Sequence, residues 1–308
     1  MEPIKIILSP VAGRGYGAQV EPELCRLLKA EGLDFDLVHT ERPWHAAELA
    51  EQAINAGFET VVAAGGDGTF NEVLNGLMAA SRTGGGTENG ASAVMGIIPV
   101  GSGSDFANTM GIPPDLRGAC HRLAHGQVRT VDVGRVTLPG QAPRYFDNTV
   151  NIGFGGVVTR EARKIKRLRG IALYLPVVLK TVFLYHKAPP VTIEYDEQEL
   201  GLRAVMITVA NGSREGGSFY VAPEAQPDDG LFDLCIVREI SQLAMLGLIP
   251  YFLKGTHVGR EPITMIRARR VTITSPDDLI AHVDGEMLCT NAHRLEFEIL
   301  PRRLRVRC

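Results

Sequence analysis

Residues 60–78 read Thr60-Val61-Val62-Ala63-Ala64-Gly65-Gly66-Asp67-Gly68-Thr69-Phe70-Asn71-Glu72-Val73-Leu74-Asn75-Gly76-Leu77-Met78, and this stretch decides the fold. The apolar run 60–64 is short enough for a buried strand, while Phe70, Val73, Leu74, Leu77 and Met78 recur at helical spacing. Thr69 and Glu72 stand three apart, as in a helix-capping box, which predicts a helix starting there. A strand, a glycine turn and a helix in that order aim free backbone N–H groups and the positive end of a helix dipole at one spot. Such a spot binds phosphate. A turn that needs glycine for positive φ would account for one Gly-Gly pair, but less well for glycines flanking both an aspartate and a hydroxyl. A bare Asp67 carboxylate would repel phosphate unless a metal ion or hydroxyl lay between them. The combination therefore points to Mg²⁺-nucleotide chemistry.

The same unit repeats on either side. Residues 4–8 read as a strand, followed by the turn Ala12-Gly13-Arg14-Gly15-Tyr16-Gly17 and a helix through Leu24, Leu27 and Leu28. Residues 35–39 form a second strand and 44–56 an Ala-rich helix. Residues 94–99 form a fourth strand, feeding Pro99-Val100-Gly101-Ser102-Gly103-Ser104-Asp105-Phe106-Ala107 and another helix. In that second turn, small hydroxyl residues between glycines can donate to phosphate oxygens, and Asp105 can hold a cation. An ordinary Gly/Ser loop would look similar in isolation. Repeated βα units imply a parallel sheet covered by helices on both faces, with ligands at the carboxyl ends of its strands. Both glycine turns lie at such ends.

From about Thr130 the rhythm changes to strands, several of them alternating, at 131–136, 191–195, 205–210, 231–237, 271–274 and 295–299. Helical patterns interrupt twice, at about 158–186 and 240–254. The expected organisation is an α/β nucleotide domain over residues 1–130 and a mostly antiparallel β-rich domain over 131–297, with a tail at about 298–308 that can return to the first.

The chain has 308 residues, 45% hydrophobic and 22% charged, with a net charge of −3. That length suits two domains, and the charge gives no basic footprint for nucleic acid. The five cysteines (Cys25, Cys120, Cys235, Cys289, Cys308) are scattered without metal-like spacing, which fits reduced thiols in a cytoplasmic protein. The start reads as a strand rather than a signal peptide, and no apolar run is long enough to span a bilayer. The expectation is a cytoplasmic protein, at most peripheral to the inner face of a membrane. His39 and His121 read as ordinary surface or packing residues.

At this point the chain resembles the diacylglycerol kinase catalytic-domain superfamily, which includes bacterial lipid kinases, sphingosine kinases and ceramide kinases. Residues 6–15 are similar to its first nucleotide-binding loop, 65–76 to its signature, and 96–107 to a second signature. Asn148-Thr149-Val150-Asn151-Ile152-Gly153-Phe154-Gly155, Asn211-Gly212, Ala225-Gln226-Pro227-Asp228-Asp229-Gly230-Leu231 and Asp284-Gly285-Glu286 follow in the family's order. The resemblance implies a two-domain lipid-kinase fold: an N-terminal doubly wound parallel α/β nucleotide domain and a C-terminal β-sandwich-like domain, with the active cleft between them. It implies transfer of the ATP γ-phosphate, with Mg²⁺, to the hydroxyl of diacylglycerol or a related lipid at a membrane surface, giving phosphatidic acid or a lipid phosphate.

By the same resemblance, Ser9, Thr40, Gly65, Gly66, Asp67, Gly68, Thr69, Phe70, Asn71 and Ser102 contact the nucleotide, together with Gly101 and Gly103 of the second turn. Asp67 and Asp105 belong to the phosphate–Mg²⁺ network, with Asp132 as a supporting charge. A second, structural Mg²⁺ site is implied at the Asp229 carboxylate and the main-chain carbonyls of Gln226 and Leu231. Read alone, Asp228-Asp229-Gly230 is a hairpin turn. His282-Val283-Asp284-Gly285-Glu286 alone reads as a solvated turn, whereas the resemblance makes Asp284 or Glu286 the base that receives the acceptor hydroxyl proton. Two positions depart from the family pattern, which often has Asn where this chain has Ser9 and Ser104. The basic residues Arg160, Arg163, Lys164, Lys166, Arg167 and Arg169 precede an apolar run, 171–179, as in an interfacial anchor for anionic lipid; a packing helix with a solvated basic end and a break at Pro176 is the alternative. Edge strands allow a homodimer. Two other functions stay open: an NAD kinase-like phosphotransferase, which shares the Gly-Gly-Asp-Gly turn, and a non-catalytic lipid- or nucleotide-binding regulator.

Overall fold

The structure, a computed structural model, describes residues 3–83, 93–101, 104–162, 171–184 and 187–308. The glycine-rich stretch 84–90, Ser102, Gly103 and the basic residues Arg163, Lys164, Lys166, Arg167 and Arg169 lie outside the described residues. The chain forms two compact units, residues 1–133 with 301–308, and residues 134–300.

The first unit runs β1 (Ile4–Leu8), α1 (Ala12–Ala30), β2 (Phe35–His39), α2 (His45–Asn55), β3 (Thr60–Gly65), α3 (Asp67–Thr83), β4 (Val94–Pro99), α4 (Asp105–Thr109) and α5 (Leu116–His125), and β5 (Val128–Thr137) leads out of it. Its strands are parallel in the order β4-β3-β1-β2. Every residue of β4 is buried, as expected where helices cover both faces. The chain leaves β1 for β2 on one side and then crosses to β3 on the other. The carboxyl ends of β1 and β3 therefore flank the point where strand order reverses, where such sheets open a crevice. The end of the last strand, β15 (Glu286–Arg307), lies parallel to β4 through Arg305 opposite Val94 and Val306 opposite Met95.

Two local expectations change. Helix α3 begins at Asp67 rather than Thr69, because the Gly66 carbonyl already accepts from both Thr69 N (2.9 Å) and Phe70 N (3.0 Å). Glu72 Oε2 accepts from Ala46 N at the start of α2, 3.1 Å away. In α1 the turn survives inside the helix: Gly13, Arg14 and Gly15 take φ of 55°, 61° and 86°, and regular helix follows.

The second unit comprises β6 (Arg144–Phe146), β7 (Thr149–Gly153), α6 (Phe154–Ala162), α7 (Ile171–Leu184), β8 (Pro190–Tyr195), β9 (Gln198–Ala210), β10 (Arg214–Glu215), β11 (Phe219–Tyr220), β12 (Phe232–Arg238), α8 (Gln242–Lys254), β13 (Ile263–Ala268) and β14 (Arg270–Val283), with most of β15. The helical pattern expected at 158–186 begins earlier, at Phe154, and forms two described helices, α6 and α7. Strands β7, β8, β9, β12, β13 and β14 pair with one another antiparallel, as do β14 with β15 and β5 with β6. β9 and β14 are long, and each pairs with β8 along its first part and with β7 along its last. Register shifts along β14 bend it between those two partners, as bulges do. The resulting β-sandwich-like fold encloses a core that includes Ile152, Ile193, Val209, Phe232 and Ile273, with Phe146 stacked on Phe232 at 5.6 Å.

Candidate functional site

In the first unit, three turns leave the carboxyl ends of β1, β3 and β4 and meet backbone to backbone. Gly65 lies opposite Pro99 in the β3–β4 ladder, and its carbonyl accepts from both Val100 N and Gly101 N at 2.9 Å. A Cβ on Gly101 would stand 2.4 Å from Gly66 Cα, and one on Gly13 would stand 2.4 Å from Val100 O. Glycine is required here by close approach, since any side chain would push the turns apart.

The two aspartates of these turns start neighbouring helices. Asp67 is the first residue of α3, and its Oδ1 accepts from Phe106 N in the first turn of α4 at 3.2 Å. Asp105 is the first residue of α4 and is buried. Asp67 is thus tied to the loop that carries Asp105. Gly66, Asp67, Gly68 and Thr69 are half-buried, whereas Phe70 and Asn71 are fully buried beneath them. Asn71 accepts from Asn75 Nδ2 at both its main-chain and side-chain oxygens. Ser9 is buried just past β1, where its N bonds to Ala64 O (2.9 Å). Thr40, just past β2, is half-buried, and its N bonds to Leu8 O (2.9 Å). Asp132 is wholly buried on β5 and accepts from Arg302 N at 2.7 Å, which anchors the returning tail.

In the second unit, Asp284 and Gly285 form a two-residue hairpin turn between β14 and β15, with Val283 paired to Glu286. Their φ values of 45° and 78° match the I′ turn that an Asp-Gly pair favours. The turn is not solvated at Asp284, which is 4% exposed. Its Oδ1 accepts from Thr149 N (2.8 Å), its Oδ2 from Asp147 N (3.2 Å), and its own N donates to Thr149 O (2.9 Å). Asp284 therefore pins the loop between β6 and β7. Glu286 is half-buried at the start of β15.

Beside this turn lies a network that the sequence did not reveal. His282 Nε2 sits 2.7 Å from Glu215 Oε1, while Asn151 Nδ2 donates to Glu215 Oε2 (2.9 Å) and Thr208 Oγ1 (2.9 Å). Burial pushes the Glu215 carboxyl up, but His282 and the Asn151 amide outweigh it and hold the carboxyl below its ordinary range. Asn151 falls within a motif noted in the sequence. Glu215 and His282 come together only through the β7–β14 pairing and the β10 turn, and no spacing signals that.

Residues 226–231 do not form the hairpin that Asp228-Asp229-Gly230 suggests alone, because β11 pairs with β10 while β12 pairs with β9 and β13. Asp229 Oδ1 accepts from Leu231 N at 3.0 Å, and Arg267 bonds its Oδ2. Arg267 Nε also stands 3.5 Å from Asp233 Oδ1, while Asp233 Oδ2 is buried with no hydrogen-bond partner among the described residues. Burial pushes the Asp233 acid up to about 6 against the pull of Arg267, with Asp229 and Glu224 adding to the rise. Oxygen donors carrying more negative charge than one arginine balances suit a hard cation.

Two family models match successive parts of the chain. Residues 3–136 match the model of the diacylglycerol kinase catalytic domain, and residues 148–308 that of the YegS C-terminal NAD kinase beta sandwich-like domain. The chain is similar to a diacylglycerol kinase of Staphylococcus epidermidis, 30% identical over 287 residues covering 92% of this chain and 85% of the relative. It is similar to one of Bacillus subtilis, 29% identical over 290 residues covering 93% of this chain and 90% of the relative. A crystal structure of a diacylglycerol kinase from Bacillus anthracis has the same fold, with a TM-score of 0.73 at 23% identity over 99% of this chain and 96% of that one.

Proposed function

This chain belongs to the diacylglycerol kinase catalytic-domain family, and from that premise we propose that it transfers the γ-phosphate of ATP to the hydroxyl of diacylglycerol or a closely related lipid. Membership of a kinase family implies ATP as co-substrate. The observation that carries the reading is the contact of Gly66 with Gly101 and of Gly13 with Val100 at the strand ends. Turns joined through their backbones bring helix N-termini together, and helix N-termini bind phosphate.

Gly66, Gly68, Thr69 and Gly101, with Ser102 and Gly103 of the same loop, hold the phosphates. Mg²⁺, when bound, neutralises charge on the transferring phosphoryl group. Asp67 and Asp105 would hold it there, and a second ion would rest on Asp229 with the carbonyls of Gln226 and Leu231. The excess acidity around Asp229 supports that second assignment. Of the two carboxylates at the late turn, Glu286 is the better base. Both Asp284 oxygens already accept backbone N–H groups, which favours a fixed, structural carboxylate.

The lipid acceptor is supported by an apolar edge on α7 and α8. Phe183 is 57% exposed and Leu243 is 76% exposed, and Gln242 Nε2 bonds to Phe183 O at 3.2 Å, which ties the end of α7 to the start of α8. Among the described residues, no helix is long and apolar enough to cross a membrane. Exposed apolar residues on helices suit shallow insertion into a bilayer surface.

The test is radiolabelled ATP offered with a panel of lipids in mixed micelles, with Asp67→Ala as control. Label in phosphatidic acid that disappears in the variant supports the proposal. Label in NADP from NAD, with none in any lipid, would overturn it in favour of an NAD kinase-like enzyme.

A further inference from the structure

Away from the glycine turns, at the other end of α1, three side chains converge. Glu31 is the residue that ends α1, and His121 and His125 stand one turn apart on α5. Glu31 Oε2 is 2.9 Å from His125 Nε2 and 3.4 Å from His121 Nδ1, and all three atoms lie within 4.8 Å of one another. The two rings are 4.7 Å apart between centroids and tilted by 49°, so both nitrogens address the same carboxylate oxygen from different directions.

From this we infer a binding site for a divalent transition metal, most simply Zn²⁺, that clamps the C-terminus of α1 to α5. Two imidazoles and a carboxylate form a donor set that zinc accepts. Zinc–nitrogen and zinc–oxygen distances of about 2.0–2.1 Å in a tetrahedron put neighbouring ligand atoms about 3.3 Å apart, close to the two separations from Glu31 Oε2. The remaining position falls to water, since the histidine side chains are 65% and 54% exposed while Glu31 is 22% exposed. Imidazole ligands separate this site chemically from the oxygen-only Mg²⁺ positions. The regular part of α1, from Tyr16 to Ala30, is about 20 Å long at 1.5 Å per residue, so the metal lies remote from the glycine turns and acts on stability, not on phosphoryl transfer.

The buried side of α5 explains why the histidines are presented outward. Ala119, Cys120 and Leu123 are buried, which leaves positions 121 and 125 on the open face. The neighbouring thiol of Cys120 is no competitor, since it is wholly buried with Ala119 and Leu123 on the opposite side of the helix.

The experiment is calorimetric titration of Zn²⁺ into the full chain in excess Mg²⁺, in parallel with His121→Ala/His125→Ala and Glu31→Gln, each first checked for folding by circular dichroism. The expected result is one saturable site in the unaltered protein, weakened tenfold or more in Glu31→Gln and absent in the double variant. Thermal melting should rise with Zn²⁺ in the unaltered protein alone. Co²⁺ substitution should give a visible band without a thiolate charge-transfer band. Equal zinc binding by the double variant, no saturable binding by the unaltered chain, or a thiolate–cobalt band would each overturn the assignment.

Discussion

Gly66 and Gly101 face each other so closely that a methyl group built on Gly101 would lie 2.4 Å from Gly66 Cα. Two loops thirty-five residues apart in the chain are therefore joined at a point where Gly101 tolerates no side chain and Gly66 has little room for one. Gly101→Ala should destabilise the protein by about 1–3 kcal/mol, the usual effect of forcing atoms into packed backbone, and should weaken nucleotide binding more than lipid binding. Chemical denaturation and nucleotide titration read the two effects. Gly247→Ala is the contrast: that glycine lies within α8 with open space at its Cβ, and the change should stabilise by about 0.5–1 kcal/mol.

Asp284 and Glu286 should separate cleanly. Asp284→Ala leaves the buried amides of Asp147 and Thr149 without their carboxylate and should lower stability by about 2–4 kcal/mol. Glu286→Gln should leave the melting temperature nearly unchanged while kcat falls by about a hundredfold or more. Equal activity loss in both variants with no difference in stability would assign the base to Asp284 instead.

Glu215 should impose an acid limb on stability. Its carboxyl lies lower in the folded state than the ordinary 4.5, so the native state binds fewer protons than the unfolded one in that range. Stability from the pair with His282 is thus fully present above about pH 5 and declines as pH falls through the folded value. Glu215→Gln should flatten that limb in denaturant titrations run from neutral pH downward. An unchanged acid slope would assign the limb to other carboxylates.

Phe183 and Leu243 should govern adhesion to vesicles. Replacing both with serine removes exposed apolar area worth about 1–2 kcal/mol per side chain at an interface. Co-sedimentation with phosphatidylglycerol vesicles should fall by roughly tenfold or more, with kcat on short-chain, water-soluble acceptor unchanged. Undiminished sedimentation would place membrane contact elsewhere.

Most of the first unit was legible because its signals are local. Periodicity in residues 60–78 marks a buried strand and an amphipathic helix, and the intervening glycines mark the turn. The local pattern of Thr69 and Glu72 places the start of α3 two residues late, since the helix begins at Asp67. In the fold, Gly66 O supplies the first helical acceptor, and Glu72 accepts from α2. The second unit was legible as β-rich, but strand lengths were not: β9 and β14 each pair with two partners in succession, and an alternating stretch cannot announce a change of neighbour. The meeting of His121 with Glu31 is silent in the sequence for the same reason, since the two are ninety residues apart in the chain.

The sequence by itself determined the strand–glycine–helix units, the parallel character of the first sheet and the residue types able to hold phosphate, because these depend on neighbours within a turn or two. Tertiary structure decided which glycines touch, that Asp284 is consumed by backbone amides, that Glu215 meets His282, and that Glu31 meets two histidines. Those facts depend on strand register and on helix ends brought together from distant parts of the chain. Hydrogen bonds a few ångströms long are set by that assembly, and no local pattern encodes it.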